Sequence, residues 1–442
     1  MRKFYLQISI VIIIFALTGA IVSAQNSETT LELDASVWDG CGITTRPFTE
    51  HVFIPRPQIV AYNMDNRVMP CANFSVNYNG FSTEAQAAFQ YAVDIWANLI
   101  DSPIQILISA TFEPLATGVL GSAGPTGFPT NNPAFLPNTA YARALAESII
   151  GSETGSVDPV TGGSVDITAS FNSDRTDWYY GTDGNTPPSE IDFVTVVLHE
   201  IGHGLGLLGF GRVPTDTNGN PSPDPPIQGV LRNNGFVHIW DQFIDGSGSS
   251  IMSYADPSAA LLTQYKSGNL TCNSTLATAQ NGGTTPKMYA PASWNGGSSY
   301  SHWDENTYPN GNPNALMTPF LSSGVAIHNP GDMTLGFMQD MGWVLCAGAL
   351  SNNELAIDDF KISPNPFTNT IEIGLANGTW QSDAFAISII DLNGRSVIKN
   401  DYAVANSIIQ INNLESLSPS IYFMKITSNT SGQTITKKIV KN

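Results

Sequence analysis

Positive charge is scarce in this chain. Only 18 of its 442 residues are Lys or Arg, against 37 Asp or Glu, so the formal net charge is −19. No basic run is present that could follow a phosphate backbone, and nucleic acid is not an expected partner. Cysteine is scarce too. The four are Cys41, Cys71, Cys272 and Cys346, and none sits in a C-x-x-C pair, which argues against a cysteine-rich zinc site. Beyond the N-terminal segment, no stretch is long and apolar enough to cross a bilayer. A G-x-S-x-G nucleophile motif is absent as well. Glycine and proline, by contrast, are plentiful at 39 and 28, while only 12% of residues are charged, a balance that suits a loop-rich exported protein.

The N-terminus agrees with export. Met1-Arg2-Lys3 is basic, Ile8 to Val22 is apolar, and Val22-Ser23-Ala24 is a small-residue cleavage site, so residues 1–24 read as a secretory signal peptide. No stable membrane span is expected once it is removed. Residues 25–72 are polar and irregular and read as an N-terminal arm or short pro-segment. Four cysteines in an exported chain suggest two disulfides with three possible pairings. Proximity in sequence favours Cys41–Cys71 and Cys272–Cys346.

From residue 73 strand and helix patterns interleave. Phe74 to Tyr78 alternates as a strand. Thr83 and Gln86 fit a capping box opening a helix with Ala85, Ala88, Phe89, Ala92, Ile95, Trp96, Leu99 and Ile100 on one face. Ile104 to Phe112 alternates again, Gly118 to Asn138 reads as loop, and Ala140 to Ile150 as a short helix. Val165 to Phe171 alternates and is expected at the sheet edge, either as an ordinary edge strand or as one that pairs with an extended peptide.

The organising stretch is residues 189–210, SEIDFVTVVLHEIGHGLGLLGF. Ser189 and Asp192 stand in a helix-capping relation after Pro187 and Pro188. Val194, Val197, Leu198, Ile201 and Leu205 recur at helical spacing and line one apolar stripe. His199 and His203, four apart, leave the helix on the same side, and two neutral imidazoles so placed can grip one zinc ion. Glu200 can face a water on that metal. The run 199–203 is a literal H-E-x-x-H, and burying its polar groups in so apolar a helix is costly unless something binds them. Gly204 and Gly206 weaken the helix and permit a left-handed exit.

A catalytic zinc site needs a third protein ligand and an open position. In the compact pattern H-E-x-x-H-x-x-G-x-x-H, Gly206 matches the glycine, but Gly209 stands where the final histidine belongs. Of the six histidines, His51 lies in the arm, His238 in a strand-like FVHIWDQF, and His328 in a loop before Asp332. That leaves His302, in SSYSHWDENTYPNGNPNALMTP, with Met317 beyond it. HEIGHGLGLLGF, a long insertion, SHWDE and then ALMTP resemble the leishmanolysin branch of the metzincin proteases. The resemblance implies His302 as third ligand, Met317 as the apolar floor of a methionine turn, and Asp332 to Trp343 as a closing helix. It covers about residues 74–346. Separately, Asp216, Asn218, Asn220, Ser222 and Asp224 alternate like calcium ligands. Their glycine is misplaced for an EF-hand and no closing Glu follows, so Ca2+ is a secondary expectation beside Zn2+.

After a linker at 349–356 the composition shifts to short alternating strands separated by Pro, Asn and Gly turns, the pattern of a small β-sandwich over 357–442. PNPF at 364–367, DLNGR at 391–395 and the closing KKIVKN resemble the C-terminal sorting domain of the type IX secretion system. The resemblance implies that machinery as a partner, with a secreted or outer-cell-surface destination.

The expected fold is therefore α+β: a metzincin-like catalytic domain over 73–348, with a mixed sheet, an active-site helix and a Met-turn, followed by a small all-β sandwich. The expected function is zinc-dependent endopeptidase action on a protein or peptide, with His199, His203 and His302 on the metal and Glu200 as general base. The alternatives are an exported zinc-containing adhesin that does not cut, and a zinc amidase acting on a non-peptide substrate.

Overall fold

The computed structural model describes residues 32–34, 43–46, 51–155, 163–214, 227–349, 360–375, 384–404, 407–428 and 434–442. The signal peptide, the calcium-like loop 216–224 and all but the first residue of the linker 349–356 lie outside the described residues.

The fold is mixed α and β. A four-stranded sheet runs in the order Phe74–Asn79, Ile106–Glu113, Ile167–Asn172, Gly121–Pro125. The first three strands are parallel and the last is antiparallel, with Ala169 opposite Ala123. The sheet's edges are thus Phe74–Asn79 and Gly121–Pro125, and Ile167–Asn172, expected at the edge, lies between two partners. The sequence GSAGP hides the second edge: it has no β-branched or alternating residues, so it reads as loop, and its strand character comes from its neighbour's hydrogen bonds.

Two helices pack together beside this sheet. One spans Thr83–Ala97, capped by Ser82 rather than Thr83, with the Ser82 hydroxyl accepting from Ala85 N. The other, Phe193–Gly204, carries H-E-x-x-H and starts three residues later than a Ser189 cap would place it. Its N-cap is Asp192, whose carboxylate accepts from Thr195 N at 2.7 Å and Thr195 Oγ1 at 2.6 Å. His328 donates from Nε2 to the same Asp192 oxygen at 3.0 Å, pinning the start of the helix.

The expected single apolar stripe understates the burial: all twelve residues of this helix are buried. The sheet lies so close that a Cβ on Gly204 would stand 2.4 Å from Ile167 Cγ2. Two buried indoles reach across to its backbone, Trp96 donating to Leu198 O and Trp343 to Leu205 O, each at 3.0 Å. Gly206 then takes φ +107, the left-handed exit that a side chain would strain.

Elsewhere the outcome is mixed. The short helix begins at Arg143 and ends at Ile150. Phe236 to Phe243, expected as strand, is a two-residue strand followed by a 3-10 turn over Ile239–Phe243, and Ile251–Ser253 is likewise 3-10. The arm holds a helix, Gln58–Asp65. The disulfide expectation is overturned: Cys71 pairs with Cys346, 275 residues away, and Cys272 is a free, buried thiol. Cys71 is held next to Cys346 because both segments bind the end of the Thr83–Ala97 helix and the residues just past it: Cys71 N donates to Ala97 O and Cys346 N to Leu99 O. Chain distance was the wrong guide. Burial pushes the Cys272 thiol well above its ordinary range, so it stays protonated and inert.

The C-terminal module is all-β. A three-stranded sheet (Phe360–Ser363, Ile371–Leu375, Ile408–Ile411) accompanies a four-stranded one (Ser396–Ala403, Ala384–Ile390, Ser420–Ser428, Thr434–Lys441), both antiparallel. Alternate residues such as Phe385, Ile387 and Ile389 point into a core of its own with Phe360, Met424 and Ile439. No helix among the described residues is long and apolar enough to cross a membrane.

Candidate metal centre

Three imidazoles from two distant parts of the chain meet under the sheet edge. His203 Nε2 lies 3.0 Å from His199 Nε2 and 3.2 Å from His302 Nε2, and the latter two are 3.3 Å apart. Ligand atoms about 2.0–2.1 Å from one ion at tetrahedral angles stand about 3.3–3.4 Å apart, so the triangle fits a zinc-sized ion with little adjustment. Among the described residues this is the group of His, Cys, Asp or Glu side chains arranged to hold a metal.

The far side of each ring fixes its orientation. His199 Nδ1 donates to Leu316 O at 2.7 Å, His203 Nδ1 to Leu207 O at 2.6 Å, and His302 Nδ1 to Ser298 O at 2.7 Å. A proton on each Nδ1 leaves each Nε2 lone pair facing the centre, the tautomer a metal requires. Burial also keeps the rings neutral: it lowers His199 to about 4, and His203 and His302 well below their ordinary value. The donor set and its shape therefore suit zinc.

Met317 lies against the helix between the two helical ligands. A Cβ on Gly202 would meet its sulfur at 3.0 Å, so the thioether packs closely on the helix there. The segment around it also braces the ligands. Leu316 O holds His199, and Met317 O accepts from Trp303 N, the residue after His302, at 2.9 Å. Gly209 occupies the position where the compact pattern has a histidine. Its amide donates to Ser301 Oγ at 3.1 Å, so the distant loop docks where the nearby ligand is missing.

Glu200 is fully buried beside this centre. Its Oε2 accepts from Ala123 N of the edge strand at 2.8 Å, while Oε1 takes no hydrogen bond among the described residues. Burial pushes the carboxyl well above its usual range, against the lowering influence of the Ala123 and Ile43 backbones. The other histidines go elsewhere. His51 bonds Gly184 O, His238 packs against Phe128 and Phe210, and His328 binds Asp192. Sequence reasoning missed Ala123 and Ile43, which act through backbone groups and leave no mark on residue type.

The arm closes over this arrangement. Residues 32–34 pair with 127–129, Ile43 O accepts from Leu120 N at 3.0 Å, and 44–46 run parallel to Phe320–Ser322 just beyond Met317.

Comparison with known proteins bears on the other end of the chain. Residues 361–442 match the model of the secretion system C-terminal sorting domain. The C-terminal module is a type IX secretion tail. The protein is accordingly exported by that route to the cell surface or the extracellular space, and the secretion machinery is a partner of the tail. No curated protein matches the chain. Among solved structures it is similar to a DUF3244-family protein with an immunoglobulin-like β-sandwich fold from Bacteroides vulgatus, at 20% identity over 19% of this chain and 84% of that one, with a TM-score of 0.16. It is also similar to PorZ, a surface component of the type IX secretion system of Porphyromonas gingivalis, at 15% identity over 23% of this chain and 14% of that one, TM-score 0.17. An endo-β-1,4-mannanase from Thermotoga petrophila matches at 8% identity over 30% and 33%, TM-score 0.15.

Proposed function

We propose that this chain is a secreted zinc-dependent endopeptidase of the leishmanolysin-like metzincin kind. The observation that carries the reading is the convergence of three Nε2 atoms at 3.0, 3.2 and 3.3 Å beside a buried carboxylate one residue from a ligand. His199, His203 and His302 would hold the ion. Zinc, when bound, supplies Lewis acidity toward water and toward a carbonyl oxygen.

The chain's own residues do the rest. Glu200 takes a proton from the attacking water at Oε1 and returns it to the leaving amine nitrogen. The strand Gly121–Pro125 ends the sheet, the place where an extended peptide adds by strand pairing, which favours a peptide substrate over a glycan amide.

Metal content and casein hydrolysis, measured together on parent, Glu200→Ala and His302→Ala, test this. Glu200→Ala should keep zinc and lose about 10²–10⁴-fold in rate. His302→Ala should lose zinc and activity together. A Glu200→Ala protein that cuts as fast as the parent overturns the mechanism.

The arm serves as the pro-segment in this reading, because Ile43 and residues 44–46 bridge the two walls of the site, with all three histidines at 1% exposure or less. Controlled cleavage within residues 47–50 should raise hydrolysis at least tenfold, about 1.4 kcal/mol at the barrier. An unchanged rate after complete cleavage and release of the segment ahead of the cut removes that role.

A further inference from the structure

A buried carboxylate outside the metal centre ties together the two segments that must meet for the third histidine to reach it. Asp241 is fully buried, 0% exposed, on the 3-10 turn Ile239–Phe243. Its Oδ1 accepts from the Tyr300 hydroxyl at 2.9 Å and from Phe210 N at 3.2 Å, and its Oδ2 accepts from His238 N at 2.8 Å. Phe210 is the exit from the site helix, and Tyr300 is two residues ahead of His302. One side chain thus fastens both.

Tyr300 carries the mark of a residue held by its surroundings. Its φ is +77, a left-handed backbone that a bulky residue adopts only when its neighbours impose it. Its amide donates to Tyr289 O at 2.9 Å, and its ring lies 5.0 Å from the Tyr265 ring. It also presses on two glycines: a Cβ on Gly209 would stand 2.4 Å from Tyr300 Cε1 and 2.6 Å from Asp241 Oδ1, and one on Gly211 2.7 Å from the same ring. The missing side chain at 209 is what admits the ring.

We infer that Asp241 and Tyr300 form a clamp that presets the third ligand, acting as positioning residues for His302 without touching the metal. The inference rests on the zinc reading above. The hydroxyl–carboxylate bond holds the twisted turn at 300, the Ser301–Gly209 bond sets the next residue, and His302 then projects toward His199 and His203.

Zinc affinity by chelator competition, the absorption spectrum of the cobalt-substituted protein and circular dichroism, on full-length Tyr300→Phe, Asp241→Asn, their double variant and His302→Ala, decide it. Tyr300→Phe should bind zinc 10–100-fold more weakly and shift the cobalt bands while keeping its secondary structure. The double variant should be little weaker than the worse single, since both remove one shared bond. If Asp241→Asn does not fold, Tyr300→Phe, which loses only a hydroxyl, decides alone. Parent-like affinity and spectrum in Tyr300→Phe, with zinc lost in His302→Ala, overturns the clamp and leaves the metal reading standing. Parent-like affinity in His302→Ala takes both down.

Discussion

The converging imidazoles are held in two different ways. His199 and His203 ride a single buried helix, so their spacing follows from 3.6 residues per turn and survives small movements elsewhere. His302 comes from an irregular segment and owes its place to a twisted tyrosine, a serine bond and the backbone beside Met317. The first arrangement is stiff because its hydrogen bonds are local. The second is stiff only because several long-range contacts agree, and loosening one should affect the metal more than the fold.

That contrast can be pressed from both sides. The largest expected effect is at the helix. Gly204→Ala drives a methyl into Ile167, lifts the helix from the sheet, and should cost about 1–3 kcal/mol of stability with zinc affinity falling alongside. Denaturant melts and metal titration would read both. Gly209→Ala should act in the opposite proportion. It crowds Tyr300 and Asp241, so zinc binding should fall about tenfold or more while the unfolding midpoint moves less than for Gly204→Ala. Equal losses in stability for the two variants would erase the distinction.

A further effect of similar size is expected with pH. Burial raises Asp241 from 3.8 to about 7, opposed by hydrogen bonds from His238, Tyr300 and Phe210 and by the charge of Arg212. A carboxyl raised in the folded state holds its proton more tightly there than when unfolded. Its contribution is therefore complete below about pH 4 and is lost as pH climbs through about 7. Metal-free protein should lose on the order of 2–4 kcal/mol across that window from this group, and Asp241→Asn should flatten the slope in urea unfolding at several pH values.

The helix was readable in advance because a short-range period fixes which residues share a side, and H-E-x-x-H survives any error at the helix start. The start itself was misjudged, since Ser189 and Asp192 are both good caps and only His328 and Thr186, far away or across a turn, favour Asp192. His302 was chosen from the sequence by resemblance and elimination. Nothing local foretold that Tyr300 would aim it, because a left-handed tyrosine is imposed by Asp241 and two glycines and not by its own preference. The edge strand was lost for a similar reason: GSAGP has weak strand character, and its place comes from Ile167–Asn172 beside it. The tail was the most legible part, because alternation in Ala384–Ile390 maps directly onto its inward and outward faces.

The Cys71–Cys346 bridge makes the metal-bearing region a covalent hoop, closed just ahead of the sorting tail. A single nick in any loop inside the hoop leaves both fragments tethered and migrates as one species until a reductant is added. Detaching the tail beyond residue 349 severs nothing within it. The hoop can close only after Cys346 has reached an oxidising compartment, so oxidation comes late, when nearly all of this region is already across.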